Sequence, residues 1–552
     1  MNRRDFLVMS GISLATSPRV AKAVGEAVYD VRQYGARGDG REKDTEAIQK
    51  AVDTCASAGG GTVYLSPGTY LSGTVVLKEN VTFRLESGAT LLGSTDLADY
   101  RLQPGPPSKG DANGKHLLFA RDAANVTVCG GGQIDGQGKA FWVPSNRVAP
   151  KPEDAWRDVV AYDWKALDRP SPMLEFFHCK NLRIEDVTIA NAAGWTLRPI
   201  ECDGVLIRGI NIRNPVFGPN TDGIDVTCCE NVCIADCDIR TGDDAICLKS
   251  EGPYGRMGLN RNIVITNCLM TCCCNGLKFG TATRGGFENV AFSNSVIYND
   301  DVPLNQRVIS GVAIEMVDGG WLTGVVISNI RMQRVRTPIF IRLGDRSRAQ
   351  GIPGKLRGVL IENVHATGAI LTSSITGLPN QIAEDITVSN VRIDTEENGK
   401  AEWLARAVPE QERNYPEARM FGRLPAYGFY CRHIRGLRLD HVHLATTAPE
   451  QRPAIHCDDV EDLRVDGFEA SAPSSSEPLL CLRNVKGALI AGCRAPEKAA
   501  MALAIEGPET QGIHLVANDF RQAAKAFELR AGARASEVSS QSEDRMPERS
   551  VP

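Results

Sequence analysis

From residue 181 onward the chain repeats one short pattern of polar and apolar positions. A turn residue is followed by an apolar residue, and a second apolar residue comes two positions later. The turn positions are Asn181, Gly204, Asn231, Asn262, Asn289, Gly324, Gly358, Asp385, Gly436, Asp462, Gly487 and Gly512. All are Asn, Gly or Asp, the residues that best tolerate a left-handed backbone. The apolar pairs, such as Leu182 and Ile184, Val232 and Ile234, Ile263 and Ile265, and Ile386 and Val388, alternate like a strand with one face in a core. The steps between repeats are mostly about 23 to 35 residues, within the range of solenoids. No helix of useful length fits between the strands, so βαβ crossovers are excluded. Hairpin signals are too sparse for a large sandwich. The pattern predicts an all-β fold: a right-handed, single-stranded parallel β-helix of roughly a dozen coils.

The chain before the repeat opens differently. Residues 44 to 56 have a helical period, with Ala47, Ile48, Ala51, Val52 and Cys55 on one face and Asp44 as N-cap. Gly59-Gly60-Gly61 stops the helix. Thr62 to Leu65 and Thr74 to Leu77 read as strands, with Pro67-Gly68 turning between them. A helix here is an N-terminal cap that covers the open end of the stack. Two insertions interrupt the solenoid. One runs from about 100 to 172 and carries Trp142, Trp156 and Trp164. The other runs from about 394 to 430 and carries Tyr415, Met420, Phe421 and Tyr427. Their aromatics either stack on sugar rings or fold the loops onto the scaffold.

A chain of 552 residues is too long for one compact core, a limit that a repeat architecture escapes. The net charge of -5 is mild and the basic residues are dispersed, which argues against nucleic acid as a partner. The 17 cysteines sit mostly inside apolar runs and read as small buried hydrophobes; no metal or other cofactor is expected. Asn2-Arg3-Arg4-Asp5-Phe6-Leu7 reads as a twin-arginine export signal cleaved after Ala21-Lys22-Ala23, giving residues 1–23 as signal peptide, 24–533 as the solenoid and 534–552 as a disordered tail. The localisation expected from this is periplasmic or secreted. No later stretch is apolar for the ~18 residues that a membrane anchor needs.

Candidate chemistry is concentrated between Asn220 and Lys249. Asp222 and Asp225 lie in one short segment, and Asp243 and Asp244 lie about twenty residues later, one coil on by the solenoid period. Neighbouring coils stack ~4.8 Å apart, so these carboxylates share one patch. Like charges so close do not all ionise together; their pKa values are driven apart, as a general acid and a general base at one pH require.

Asn220-Thr221-Asp222 and Gly242-Asp243-Asp244 at this spacing resemble the polygalacturonase family, glycoside hydrolase family 28. Pro170 to Leu174, Ile134 to Gly138 and Trp195-Thr196 fit the same pattern. The resemblance covers about residues 28 to 345 and implies inverting hydrolysis of pectin-type polysaccharides or oligosaccharides, with no cofactor. Carried over, Asp243 matches the general acid, and Asp222 and Asp244 match the pair that activates water, with the ~6.5–9.5 Å acid–base gap of inverting enzymes. Two motifs depart from the family. Asn275 stands where a histidine is usual, and Ala313-Ile314-Glu315 replaces Arg-Ile-Lys. Alanine cannot hold a galacturonate carboxylate and an ionised glutamate would repel it, so a plain polygalacturonate unit is not the expected substrate. Lys278 and Glu315, read as equivalent places in successive coils in register with Asp225, either pair with each other or bind a neutral sugar. Asn220, Asp225 and Asn275 complete the substrate-binding set, with Arg198 and Arg342 as the remaining cations that could hold a carboxylate. Of the histidines, His441 and His443 read as structural, while His433 has a path to the cleft. A polysaccharide lyase and a catalytically silent glycan-binding solenoid are the competing readings. Endo or exo action and the oligomeric state do not follow from the sequence.

Overall fold

The structure, a computed structural model, describes residues 27–103, 113–252, 257–346 and 352–541. The twin-arginine segment and the end of the tail lie outside these residues. Within them the chain winds into a parallel β-helix in which each strand pairs with the equivalent strand one coil on. The coil face that matters for function runs through Leu174–Phe177, Leu197–Ile200, Ile224–Thr227, Ile246–Lys249, Asn275–Phe279, Ser310–Met316 and Thr337–Leu343, all paired in parallel. Alternate residues such as Ile224, Ile246, Leu277, Val312 and Ile339 fill one continuous interior core.

All twelve turn residues of the repeat adopt positive φ, between 52° for Asn181 and 76° for Gly487. Where asparagines stack at such corners, their side-chain amides form a ladder from coil to coil. Asn329 Nδ2 donates to Asn294 Oδ1 at 3.0 Å, and Asn363 Nδ2 donates to Asn329 Oδ1 at 3.0 Å. The left-handed corner explains why Asn is used; the ladder is what Gly at the same corner cannot supply. Of the cysteines, fourteen are buried, three are half-buried and none is in a disulfide.

The capping helix spans Thr45–Ser57 and buries Ile48, Ala51, Val52 and Cys55. Asp44 is not its side-chain cap. The Asp44 carboxylate instead accepts from the backbone N–H groups of Arg37 at 2.6 Å and Gly38 at 3.1 Å, so it closes the preceding loop. The opening strands also differ from the pattern. Pro67 does bend the chain between two strands, Gly61–Leu65 and Gly68–Ser72, but the second starts at Gly68 itself, and only Val75–Val76 remains of the one expected from Thr74. At the other end, Val538–Ser540 adds a strand beside Gln511–Val516, so order extends past residue 534.

The two insertions pack on each other as well as on the solenoid. Trp156 is buried, with the guanidinium groups of Arg157 and Arg423 at 4.5 and 4.4 Å from its ring centre. Trp142 donates from Nε1 to the carbonyl of Ala193 at 2.8 Å, and Trp164 stacks on Phe217 at 5.5 Å. Arg336 donates to the carbonyls of Trp156 and Asp158, and Arg419 bonds the carbonyl of Arg157. These tryptophans fold the loop onto its support.

Asn329→Ala removes two ladder bonds and forces a Cβ residue with no local partner into the left-handed corner, at a cost of about 1–2 kcal/mol. Asn329→Gly keeps the backbone free and loses only the ladder, so it is expected to cost less. The shifts in urea midpoint of the two variants measure this order.

Candidate active site

The site is built on three successive coils. Gly223 N–H donates to the carbonyl of Asp244, and Ala245 N–H donates to the carbonyl of Asn275, both at 2.9 Å, so Asp222, Asp244 and Asn275 are stacked. The stack is close because residue 223 is glycine: a Cβ there would stand 2.4 Å from the Ala245 carbonyl. Thr221 Oγ1 accepts from Gly242 N–H at 3.0 Å and ties the two aspartate segments together. Asp243 Oδ1 accepts from Asp244 N–H at 2.9 Å, which fixes the Asp243 side chain at the half-buried rim. Asp222 and Asp244 are 5% and 3% exposed, and Asn220 stands exposed beside them.

Two lysines interleave with the acids. Lys249 forms a close ion pair with Asp225 and lies 3.7 Å from Asp222; its ammonium sits 4.4 Å from the ring centre of Trp195. Lys278 lies 3.1 Å from Asp244 Oδ2 and 3.6 Å from Glu315, and donates to Tyr415 Oη at 3.2 Å. Asn275 Nδ2 donates to Asp244 Oδ1 at 2.7 Å, so both Asp244 oxygens are held.

This arrangement splits the acids. Burial pushes Asp243 up to about 7; the adjacent Asp244 charge adds to this, and Lys278 and Lys249 oppose it. Asp222 is pushed well above the usual range by burial and then by the Asp243 charge. Burial alone would raise Asp244 too, but Lys278, Lys249 and the Asn275 bond outweigh it and hold Asp244 below the usual carboxylate range. Burial takes Glu315 up to about 8, against Lys278. Burial would also strip protons from the lysines, but Asp225 beside Lys249 and Asp244 beside Lys278 overcome it and raise both well above their ordinary value. One half-buried carboxylic acid that titrates near neutrality beside one ionised carboxylate is the equipment for acid–base catalysis.

Several expected substrate contacts turn out to be internal. Asp225 is fully buried under Lys249. Arg198 is 6% exposed and ion-pairs with Glu175 at 3.3 Å. Arg342 is 1% exposed and donates to the carbonyls of Gly377 at 2.8 Å and Glu410 at 2.5 Å, so it anchors the second insertion instead of facing the cleft. His433 does the same, lying 2.6 Å from Asp459 and 3.1 Å from Glu410. His441 and His443 stay remote, beside Asp440 and Glu469.

The register also needs correction. Asp225, Cys247, Lys278 and Ala313 form one column, while Glu315 lies two residues further on, opposite Arg342. The Lys278–Glu315 pair nevertheless exists, reached diagonally. Glu315, neutral near pH 7, does not repel an anion as an ionised glutamate would. Ala313 is buried in an apolar cluster with Phe340, Tyr430, Phe421 and Leu424, so insertion side chains occupy the space there. Oxygens of Asp243 and Asp244 lie within 4.8 Å of each other, closer than the expected gap of ~6.5–9.5 Å. Trp195, Lys249 and Tyr415 were not among the expected site residues. For Lys249, the available signal was a lysine closing an otherwise apolar strand directly after the aspartate pair.

A family model, described as glycosyl hydrolases family 28, matches residues 61–412. A probable polygalacturonase of Vitis vinifera is 27% identical over 382 residues, covering 65% of this chain and 73% of that protein. Among solved structures, a hyperthermoactive exopolygalacturonase from Thermotoga maritima superposes with a TM-score of 0.54 at 24% identity, over 67% of this chain and 87% of its own. The family 28 exopolygalacturonase of Yersinia enterocolitica gives 0.50 at 17% identity, over 94% and 79%. The two structural likenesses concern the fold.

Lys278→Met removes the chief cation holding Asp244 ionised, so the Asp244 pKa rises. The acidic limb of the pH–rate profile is then expected to move to higher pH, with kcat reduced about 10- to 100-fold at the optimum. A lower rate with an unmoved limb would assign Lys278 a packing role only.

Proposed function

The chain belongs to family 28 of the glycosyl hydrolases, and from that premise we propose that it hydrolyses a pectin-type or related plant glycan whose residue at the cleaved position is neutral. The observation that carries the substrate reading is the pair Ala313 and Glu315. One is packed under Phe421 and Phe340, and the other is a buried acid pushed up to about 8. Neither offers the cation that a galacturonate carboxylate would need there, and Lys278 is already engaged with Asp244, Glu315 and Tyr415.

Inversion is general in the family. Asp243, half-buried and with its carboxyl pushed up to about 7, is still partly protonated near neutral pH, and in that form it protonates the leaving oxygen. Asp244, kept ionised by Lys278 and Lys249, takes the proton from water. Asp222 offers a buried Oδ1 without a partner and orients that water from the neighbouring coil. Because Asp243 and Asp244 are so close, the water is accommodated on the Asp222 side. The Asn2 to Leu7 segment supports export through the twin-arginine route.

The test compares kcat/KM on polygalacturonate with that on rhamnose-containing pectic oligomers, scoring new reducing ends and ultraviolet-absorbing unsaturated products separately. One charge-assisted contact is worth ~1.5–3 kcal/mol, so the rhamnose-containing substrate is expected to lead by about one to two decades, with no unsaturated product. Asp243→Asn is expected to bind the same oligomer and not turn it over. Polygalacturonate as the best substrate overturns the specificity reading; an unsaturated product overturns hydrolysis.

A further inference from the structure

We propose that the outer face of one sheet is a self-association surface, on which a second copy of this chain packs with its solenoid axis reversed. The inference does not depend on the catalytic reading. Six parallel strands on successive coils form the face: Asp203–Arg208, Glu230–Ala235, Leu259–Thr266, Gly286–Tyr298, Trp321–Gln333 and Lys355–Ala369. This sheet follows the cleft-bearing strands around each coil, so its outer face points in a different direction from the cleft.

One outward column of this face is apolar on all six coils. Leu206, Cys233, Val264, Ala291, Val326 and Leu360 are register neighbours in that order. Val264 and Val326 are 45% and 38% exposed, and the other four are half-buried. In a sheet with one face on the core, polar residues are expected at such positions. Arg183 ends the column on one side and Thr387 on the other. At ~4.8 Å per coil the stripe is about 24 Å long. Single exposed apolar residues need no explanation, but a contiguous strip marks a contact surface.

The charges beside the stripe select a second copy as the occupant. A two-fold axis along the strands, midway between Val264 and Ala291, brings the face onto itself with its coils in reverse order. In the column on one side, Lys180 then meets Glu384, Asp203 meets Arg357, and Arg261 meets Glu288. On the other side, Arg208 meets Glu362. Each of these opposite-charge contacts is made twice, because the interface is isologous. The remaining facing positions, such as Glu230 with Thr323 and Thr266 with Ser293, set no like charges together. Lys180, Arg357 and Glu362 form no ion pair among the described residues, so their charges are available to a partner. Facing sheets pack ~10 Å apart, a gap that the long flanking side chains span around the shorter apolar ones. With the axes parallel instead, Asp203 would face Arg208 and Arg357 would face Glu362, and the other flanking charges would lack partners.

Sedimentation velocity on the purified chain tests this. The wild type is expected to form a species of twice the chain mass as its concentration rises. Val326→Asp, at an exposed position, is expected to keep the wild-type melting temperature and remain monomeric. Asp203→Arg and Arg357→Asp are each expected to weaken the dimer about tenfold, and the double variant to restore it. Within one chain the two positions are five coils apart, about 24 Å against a Debye length of ~8 Å, so the rescue passes between copies. In the parallel arrangement the same exchange makes both contacts repulsive. A wild type that stays monomeric to about 0.1 mM, or a dimer that Val326→Asp leaves intact, overturns the surface. A double variant no tighter than the single variants overturns the reversed packing.

Discussion

Everything in the cleft depends on how two ammonium groups, one buried and one half-buried, are shared among five carboxyl groups. Lys249 and Lys278 serve Asp222, Asp225, Asp243, Asp244 and Glu315 in a space largely closed to water. There are too few cations to ionise every acid, so burial leaves some of them protonated. Position decides which. Asp244 has Lys278 at 3.1 Å and an amide on its other oxygen, and it ionises. Asp243, at the rim without a direct ion pair, keeps its proton to about pH 7. The division into a protonated and an ionised carboxyl is thus a consequence of the geometry of two lysines, and Asn275 supplies the remaining bond to Asp244.

The dryness that makes this possible is supplied from far along the chain. Phe421 and Leu424 pack in one buried cluster with Ala313, and Tyr415, itself exposed, reaches Lys278 across 137 residues of sequence. The second insertion is in turn pinned by buried arginines, Arg342 through backbone carbonyls and Arg452 through Glu397 and Glu450. The solenoid gives the aspartates their spacing, and the insertions give them their dielectric environment.

These two contributions differ in how far the sequence reveals them. The solenoid is written locally: Asn, Gly or Asp at each corner, followed by an apolar pair, and every one of the twelve corners is left-handed in the structure. The placement of Asp222, Asp243 and Asp244 on adjacent coils follows from the same period. The state of Glu315 does not, because its charge depends on burial by residues a hundred positions away. Arg342 reads as a cleft cation in sequence for the same reason; nothing local says that Glu410 and Gly377 will claim it. Asp44 is a smaller instance, an N-cap by pattern whose carboxylate is taken by the backbone of Arg37 and Gly38.

The central claim is that Asp243 holds its proton up to about pH 7 while Asp244 is already ionised below it. The most direct test is the pH dependence of kcat/KM in the wild type on two substrates of one glycan, with poor and good leaving groups. The account predicts that the rate on the poor leaving group falls as pH rises through about 7, where Asp243 loses its proton. The fall should flatten when the leaving group is an acidic phenol that needs no protonation. A rate on the poor leaving group that stays level to roughly pH 9 would contradict it, since no acid of the Asp243 type could then be donating the proton.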